Sequence, residues 1–310
     1  MTTASLEKTL GPLFNIFNSD SVSEIFIDSF NQVYYIENGK IIELDNAFSN
    51  HEELENFALG LINYFKVKIT EDSETLNLNF DDYRSVNIVL NTINKTGPIL
   101  NFNKLPKRIF GWQEYLKHEA IDEEGKAIIE KMLEQNKNIL VAGPVGSGKT
   151  TLLNLLVNSI PLPNRVITIE KIRNLIIERK MTARLIAEKP NSKGVKKLIE
   201  AVRMLRADYI VLDDIHGPEV TGFINLTNEG HSSLSLIGAD NIFDALKRIE
   251  IFALNDYQAK TLEDIRYSIS TAFDYVIFQE KTESGKRKVT KIGKVVFDGE
   301  KPSIELVYNK

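Results

Sequence analysis

The sequence predicts an α/β protein with a mostly parallel sheet in its C-terminal part, preceded by a smaller α+β domain. Three observations predict it. From residue 138 onwards, short apolar strands alternate with amphipathic helices, which is typical of a parallel sheet covered by helices on both faces. A glycine-rich loop at 143–151 joins one of these strands to a helix. Before residue 104, strands instead follow one another through short turns, as in an antiparallel meander.

The N-terminal domain begins with a helical apolar stripe over residues 5–17, formed by leucine and phenylalanine at three- and four-residue spacing. An Asn38-Gly39 turn lies between two strands and supports the meander. Further strands alternate polar and apolar residues over 75–103. The other predicted elements are strands at 23–28, 31–36 and 40–44 and a helix at 51–65.

A stretch rich in proline, glycine and basic residues, Lys104–Trp112, breaks every hydrophobic period and predicts a linker. We therefore expect an N-terminal domain at 1–104, a linker at 105–120 and a C-terminal domain at 121–310.

In the C-terminal domain, the helices and strands alternate along the chain. A basic, alternating segment near the end, 286–297, and a last segment at 303–308 predict antiparallel strands added at one edge of the sheet. The expected strands are 138–142, 165–170, 208–213, 233–237 and 273–279, and the expected helices are 122–135, 149–158, 194–206, 217–228, 241–254 and 258–272.

The loop at 143–151 fits the pattern G-x-x-x-x-G-K-[ST] of a phosphate-binding loop, and its strand–loop–helix context makes the match specific. Glycines allow successive N–H groups to face phosphate oxygens, and the helix presents its positive end to them. Lys149 would reach the β- and γ-phosphates, and the Thr150 hydroxyl would bind Mg²⁺. We therefore expect a RecA-like P-loop domain that binds ATP and Mg²⁺ through Gly143, Pro144, Val145, Gly146, Ser147, Gly148, Lys149, Thr150 and Thr151.

Acidic residues follow two of the apolar strands. Asp213 and Asp214 end the strand 208–213, where one carboxylate could hold Mg²⁺, partly through water, and the other could orient the attacking water. Glu170 ends the strand 165–170 and could act beside them. The alternatives are surface acids that cap strands and, for His231 after Gly230, an ordinary turn residue.

Composition excludes several classes. The chain has no cysteine, so disulfides and thiolate metal sites are absent and a reducing compartment is indicated. No basic, apolar leader opens the sequence, and no apolar run reaches the roughly 18 residues of a membrane span. The net charge of −5 argues against nucleic acid as a partner, although residues 171–206 are rich in lysine and arginine.

Several short segments, in order around the P-loop, resemble the secretion ATPases of bacterial type II and type IV systems, which include type IV pilus motors. The size and the absence of a tetracysteine insert favour the compact conjugation and type IV secretion branch. The segments are Ser21–Ile27, Gly97–Phe102, Thr168–Glu170, Leu205–Val211 with Gly217–Glu219, and Gly230–His231.

This resemblance implies a hexameric ring of identical subunits, on the cytoplasmic side of an inner membrane and peripheral to it through other components of the apparatus. It implies ATP hydrolysis with Mg²⁺. It also implies roles for Lys149 at the phosphates, for Glu170 and Asp214 at the attacking water, and for His231 near the γ-phosphate.

The sequence departs from the family's pattern at several of these positions. Asp214 stands where the family has glutamate, and Gly238 stands where it has a second histidine. Two hypotheses follow: a working motor, or a nucleotide-binding ring subunit that has lost hydrolysis and works with an active paralogue. A DNA-dependent ATPase, suggested by the basic stretch, is a third. The other departures are Asn103, Lys171, Asn174, Asp213 and His216.

Overall fold

The computed structural model describes residues 3–69, 74–81, 83–91, 93–94, 96–105, 109–187, 192–256, 261–283 and 285–310. The chain divides into two compact units, Met1–Lys107 and Arg108–Lys310. Of the expected linker 105–120, residues 106–108 lie outside the described residues. The rest of that segment contains a helix, and Tyr115 within it is buried in the core of the second unit.

The first unit is a six-stranded antiparallel sheet in the order β3-β2-β1-β6-β5-β4. The expected single helix over 5–17 is interrupted by a 3-10 turn, Gly11–Leu13, because Gly11 has φ +50° and Pro12 has no N–H to donate. The elements are α1 (Thr3–Leu10), α2 (Phe14–Asn18), α3 (His51–Tyr64), β1 (Val22–Ser29), β2 (Gln32–Glu37), β3 (Lys40–Glu43), β4 (Thr75–Asn79), β5 (Arg84–Val89) and β6 (Ile99–Lys104).

In the described part of the second unit, two helices precede the strands and the others lie between strands along the chain, as the alternation along the sequence predicts. The helices are α4 (Trp112–Lys117), α5 (Glu123–Glu134), α6 (Lys149–Ser159), α7 (Ser192–Val202), α8 (Glu219–Asn228), α9 (Ile242–Leu254) and α10 (Leu262–Ala272). Its strands are β7 (Ile139–Gly143), β8 (Val166–Glu170), β9 (Thr182–Ile186), β10 (Tyr209–Ile215), β11 (Ser232–Gly238), β12 (Tyr275–Lys281), β13 (Arg287–Phe297) and β14 (Pro302–Asn309). The first residues of the helix expected at 258–272 lie outside the described residues.

These strands form one sheet in the order β14-β13-β12-β7-β11-β10-β8-β9. The six strands from β12 to β9 are parallel, and β13 and β14 extend one edge in antiparallel fashion. The predicted parallel sheet with an antiparallel edge is therefore confirmed. Apolar side chains of α7 to α10 pack on one face, and those of α5 and α6 pack on the other.

Strand β9 was not expected from the sequence. It pairs in parallel with β8, and its five residues are all partly buried. The segment is short, lies within the basic stretch 171–206, and contains a charged residue, Arg184, at its centre. Arg184 needs an acidic partner elsewhere in the chain, and the local sequence pattern does not reveal that partner.

No helix in the described part of the chain combines the length and the apolar character that crossing a membrane requires.

Candidate functional site

The glycine-rich loop connects the end of β7 to the start of α6 at the carboxyl edge of the parallel sheet. Gly146 and Gly148 have φ of +76° and +92°, in the left-handed region that residues with a side chain rarely adopt. Gly148 is the N-cap of α6, so the helix begins with Lys149. The loop therefore has the backbone conformation of an anion-binding turn, in which N–H groups and the N-terminus of α6 face the same space.

Close packing against β12 explains two of the glycines. A Cβ atom at Gly143 would lie 2.0 Å from the Gln279 carbonyl oxygen, and one at Gly148 would lie 2.6 Å from Gln279 Nε2. Gln279 is buried, and its Nε2 donates a hydrogen bond of 2.8 Å to the Ser147 carbonyl oxygen. The loop thus packs against the C-terminal part of β12: a side chain at Gly143 would collide with its backbone, and one at Gly148 would also be strained by the positive φ.

A cleft of about 260 Å³ opens in front of the loop and is lined by Gly146, Gly148, Lys149, Thr150, Thr151 and Arg287. Lys149 Nζ donates to the Pro144 carbonyl oxygen at 2.7 Å. Burial lowers the pKa of Lys149, while the negative charge of Asp214 opposes that shift. The Ser147 hydroxyl is buried with no hydrogen-bond partner among the described residues, whereas Val145 is fully exposed at the tip of the loop.

The two aspartates at the end of β10 have different surroundings. Asp213 is buried, and its carboxylate accepts from the Lys171 backbone N–H at 3.4 Å. Burial, followed by the charges of Glu170 and Asp214, raises the pKa of Asp213 well above its usual range. Asp214 is one-third exposed and pairs with His216 Nε2. The charge of Asp214 thus acts on the P-loop lysine, and Asp213, the expected Mg²⁺ ligand, is buried beside Glu170.

The strand order separates the expected acids from the loop. We expected β10 to lie directly beside the P-loop strand, but β11 lies between β7 and β10. β8, which carries Glu170 at its end, is one strand further away. With neighbouring strands about 4.8 Å apart, three spacings place the β8 backbone roughly 14 Å from that of β7.

Glu170 is fully buried, and both of its carboxylate oxygens are engaged by donors of the same unit. Arg184 Nε and Nη2 form a two-pronged ion pair with it at 2.9 and 2.7 Å. Thr168 Oγ1 donates to Oε1 at 2.8 Å, and the N–H groups of Asn174 and Leu175 donate to Oε2 at 3.1 and 3.0 Å. With five donors around it, Glu170 anchors β9 to β8 and has little capacity left to bind an attacking water.

Within this unit, the structure does not bring His231, the residue expected near the γ-phosphate, to the loop. His231 comes just before β11, and its Nδ1 forms a 2.9 Å hydrogen bond with the Ala207 carbonyl oxygen. Because β11 runs parallel to β7, His231 lies at the opposite end of the sheet from the loop, roughly 20 Å away at about 3.3 Å per residue.

Gly238, at the other end of β11, is the residue that pairs with Gly143. The Gly238 carbonyl oxygen accepts from Arg248 Nη1 of α9. The family's second histidine was expected at this position beside the P-loop strand. The residue there is glycine, and an arginine of the following helix bonds to its backbone.

Sequence reasoning missed two residues that contact the loop, Gln279 of β12 and Arg287 of β13. Arg287 Nε donates to the Gly146 carbonyl oxygen at 3.1 Å. The sequence predicts only an edge strand at 286–297, because nothing local shows that its first arginine reaches a loop 141 residues earlier. Among the described residues, no three His, Cys, Asp or Glu side chains cluster as a metal site would require.

Similarity to a known protein family extends over most of the sequence. The sequence matches the family described as "Type II/IV secretion system protein" over residues 6–292. The chain belongs to this family. The match covers most of both units, which agrees with the resemblance seen in the short segments around the P-loop.

Curated proteins similar to this chain include VirB11 of Bartonella henselae, described as a type IV secretion system protein. It is 32% identical over 171 residues, which cover 53% of this chain and 48% of that protein. PtlH of Bordetella pertussis, also described as a type IV secretion system protein, is 29% identical over 171 residues, 52% of this chain and 50% of PtlH. The chain thus spans about half the length of the curated relatives it matches.

Solved structures of the same fold include the ATPase DotB of Legionella pneumophila, with a TM-score of 0.66 and 16% identity over 97% of this chain and 82% of DotB. The pilus retraction motor PilT with bound ADP has a TM-score of 0.61 and 14% identity over all of this chain and 84% of PilT. At these identities the likeness establishes the fold.

Proposed function

We propose that this chain is an ATP-binding and ATP-hydrolysing motor subunit of a bacterial secretion, conjugation or type IV pilus-like machine. The observation that carries the proposal is the cleft at the end of β7, where Lys149, Thr150 and the left-handed glycines surround a space of about 260 Å³. Backbone N–H groups, a helix terminus and a lysine around one cleft are the features that bind a triphosphate. The names of VirB11, PtlH and PilT supply the kind of machine.

The residues present fit Mg²⁺ as the accompanying ion. Mg²⁺ prefers hard oxygen ligands and is usually held by one or two protein oxygens together with substrate phosphates. The Thr150 hydroxyl lines the cleft, and the Asp214 carboxylate is within electrostatic reach of Lys149. We assign these two groups to the ion, which would neutralise developing charge on the phosphates. Asp214 would also orient the attacking water.

Three observations favour a second candidate function, a nucleotide-binding ring subunit whose hydrolysis is impaired. Glu170 is saturated by five hydrogen bonds. Asp214 is one methylene shorter than the family's glutamate and pairs with His216. Gly238 offers no side chain at the position beside Gly143. In this case the chain would bind ATP and work with an active paralogue.

Titration calorimetry with ATP and Mg²⁺ tests the binding site directly. The variant Lys149→Ala should lose at least about tenfold in ATP affinity, because a hydrogen bond to a charged group contributes about 1.5–3 kcal/mol. Lys131→Ala is the matched control, since it removes an exposed lysine from α5. Equal ATP affinity in Lys149→Ala and in the control would overturn the proposal.

Phosphate release measured on Asp214 variants separates the motor from the impaired subunit. If the short side chain limits the rate, Asp214→Glu should raise turnover by about tenfold or more, because a misplacement of about 1 Å can cost a hundredfold. Asp214→Asn should abolish turnover, and Asp240→Glu serves as the control, because Asp240 is exposed. Turnover that persists in Asp214→Asn would show that this acid does not act on the water.

The assembly is proposed from the resemblance rather than from contacts in the structure. We propose a homo-hexameric ring that is cytoplasmic and associates peripherally with the inner membrane through components of the apparatus. Light scattering on purified protein, with and without Mg²⁺ and ATP, should give six subunits. A monomer at all protein and nucleotide concentrations would contradict the ring.

A further inference from the structure

Two side chains of the hairpin formed by β12 and β13 donate hydrogen bonds to the backbone of the P-loop. Gln279 Nε2 donates to the Ser147 carbonyl oxygen at 2.8 Å, and Arg287 Nε donates to the Gly146 carbonyl oxygen at 3.1 Å. The two strands pair in register at Lys281 and Arg287. Two consecutive carbonyl groups of the loop are thus bonded to one hairpin.

This arrangement orients the loop's N–H groups. In a trans peptide the C=O and the following N–H point in opposite directions. Because the hairpin binds the carbonyl groups of Gly146 and Ser147, the N–H groups of Ser147 and Gly148 point away from it. The Ser147 N–H accordingly donates to the Pro144 carbonyl oxygen, across the loop, at 3.3 Å. The hairpin thus fixes the orientation of these two peptide groups of the loop.

The Arg287 guanidinium has more N–H donors than its bond to the loop uses. A guanidinium carries five N–H donors in a planar fork, and the Gly146 carbonyl oxygen uses one of them. The stem lies against the loop, because a Cβ atom at Gly148 would be 2.9 Å from Arg287 Cδ. The side chain is exposed and lines the cleft beside Lys149, Thr150 and Thr151. In the described part of the chain, no carboxylate forms an ion pair with it.

We infer that Arg287 is a second phosphate-binding cation of this site, contacting the phosphate chain of the bound nucleotide through its terminal nitrogens while Nε stays on the loop. The inference rests on the proposed function. A guanidinium matches phosphate oxygens in a two-pronged way that an ammonium cannot, and the Gly146 bond fixes its plane before the ligand arrives. Lys149 and Arg287 then face the phosphates from two different elements, α6 and β13.

Thermal shift and titration on the full chain test the assignment with ATP and with inorganic tripolyphosphate, which has phosphates but no base or ribose. Arg287→Gln should weaken the binding of both ligands by about tenfold or more, as expected for a lost charge-assisted contact. Arg287→Lys should fall between Arg287→Gln and the wild type because it keeps the charge and loses the fork. Lys294→Gln removes an exposed lysine from the same strand and should change neither affinity.

The other outcomes overturn the inference. Weakened ATP binding with unchanged tripolyphosphate binding would assign Arg287 to the base or ribose. A lower melting temperature without ligand, with unchanged affinity for both ligands, would mean that Arg287 only supports the loop. Tripolyphosphate that leaves the wild-type melting temperature unchanged at millimolar concentration would show that the two cations do not form a phosphate site.

The proposed function and this inference fail in different ways. ATP binding that is absent, or that is insensitive to Lys149→Ala, overturns both. ATP binding that is lost in Lys149→Ala but kept in Arg287→Gln leaves the nucleotide site intact and overturns the role of Arg287 alone.

Discussion

At the scale of single residues, two adjacent aspartates near the C-terminal end of β10 differ in burial and therefore in the groups with which they interact. Asp213 is buried close to Glu170, whereas Asp214 is partly exposed and interacts with Lys149 and His216. From the sequence, either acid could have bound Mg²⁺. The structure separates them because consecutive residues of a strand point to opposite faces.

Asp213 should make the protein less stable as the pH rises. Burial and neighbouring carboxylates raise its pKa in the folded state, so the folded protein holds this proton more tightly than the unfolded chain. Stability therefore falls as the pH increases from about 4, the ordinary aspartate value, towards the folded pKa. Asp213→Asn should remove this slope and be more stable than the wild type at alkaline pH, because the amide has no charge to bury.

Urea unfolding at several pH values, without nucleotide or divalent cations, measures this effect. Asp240→Asn is the control, because Asp240 is exposed just after β11. An Asp213→Asn variant with the same dependence on pH as the wild type would show that Asp213 titrates normally.

Sequence reasoning succeeded at this scale where chemistry is local. The P-loop pattern correctly located the turn between β7 and α6, since its glycines, lysine and threonines are contiguous. Local patterns do not reveal the surroundings of His231 and Arg287, which depend on strand direction and on a contact 141 residues away. Glu170 looked like a free acid because its partner Arg184 lies on a strand that the pattern did not show.

At the scale of elements, the ion pair between Glu170 and Arg184 attaches the edge strand β9 to the sheet. Glu170 is fully buried and the Arg184 side chain is 18% exposed. A carboxylate that stays buried after its partner is removed is neither paired nor hydrated, so replacing one member of the pair is strongly destabilising. The sheet therefore depends on this pair at an edge where apolar packing is limited to partly buried side chains.

Arg184→Met should lower the free energy of unfolding by about 3–5 kcal/mol, the usual cost of leaving a buried charge unpaired. The matched control is Arg203→Met, which breaks the exposed pair with Glu229 and should cost about 1 kcal/mol or less. Denaturant titration of the two variants gives the comparison. Equal losses would mean that the buried pair contributes no more than a surface one.

The order of the strands could not have been predicted from their sequences. All the parallel strands are short and apolar, so any of them could have neighboured β7. We expected β10 there, but β11 occupies the position, and α8 makes the connection between those two strands. The alternation of strands and helices predicts that a parallel sheet forms, but it does not predict which strand is central.

At the scale of the whole molecule, the chain contains two units with separate cores. The first core is built from α1 to α3 and the antiparallel sheet, and the second from both faces of the mostly parallel sheet. The chain divides after Lys107, three residues beyond the boundary that the change in hydrophobic period predicts at 104. The predicted linker is shorter than expected, since α4 packs on the second core.

The second unit should fold and bind nucleotide without the first. A fragment spanning 108–310 contains both of its apolar clusters and every residue that lines the cleft. We expect one cooperative thermal transition, and a rise in melting temperature with ATP and Mg²⁺ that Lys149→Ala removes. Circular dichroism and thermal shift measure these, with the full chain as reference. A fragment without cooperative melting would show that the first unit is needed for folding.

Strand β11 has a further consequence. It is hydrogen-bonded on one side to β7, which ends in the P-loop, and on the other to β10, which ends in Asp213 and Asp214. Hydrogen-bonded strands keep a nearly constant separation, so two spacings of about 4.8 Å set the gap between the loop's strand and the acidic strand. For the proposed ligand, β11 therefore separates a phosphate held by the loop from the acidic side chains of β10 by the width of one intervening strand.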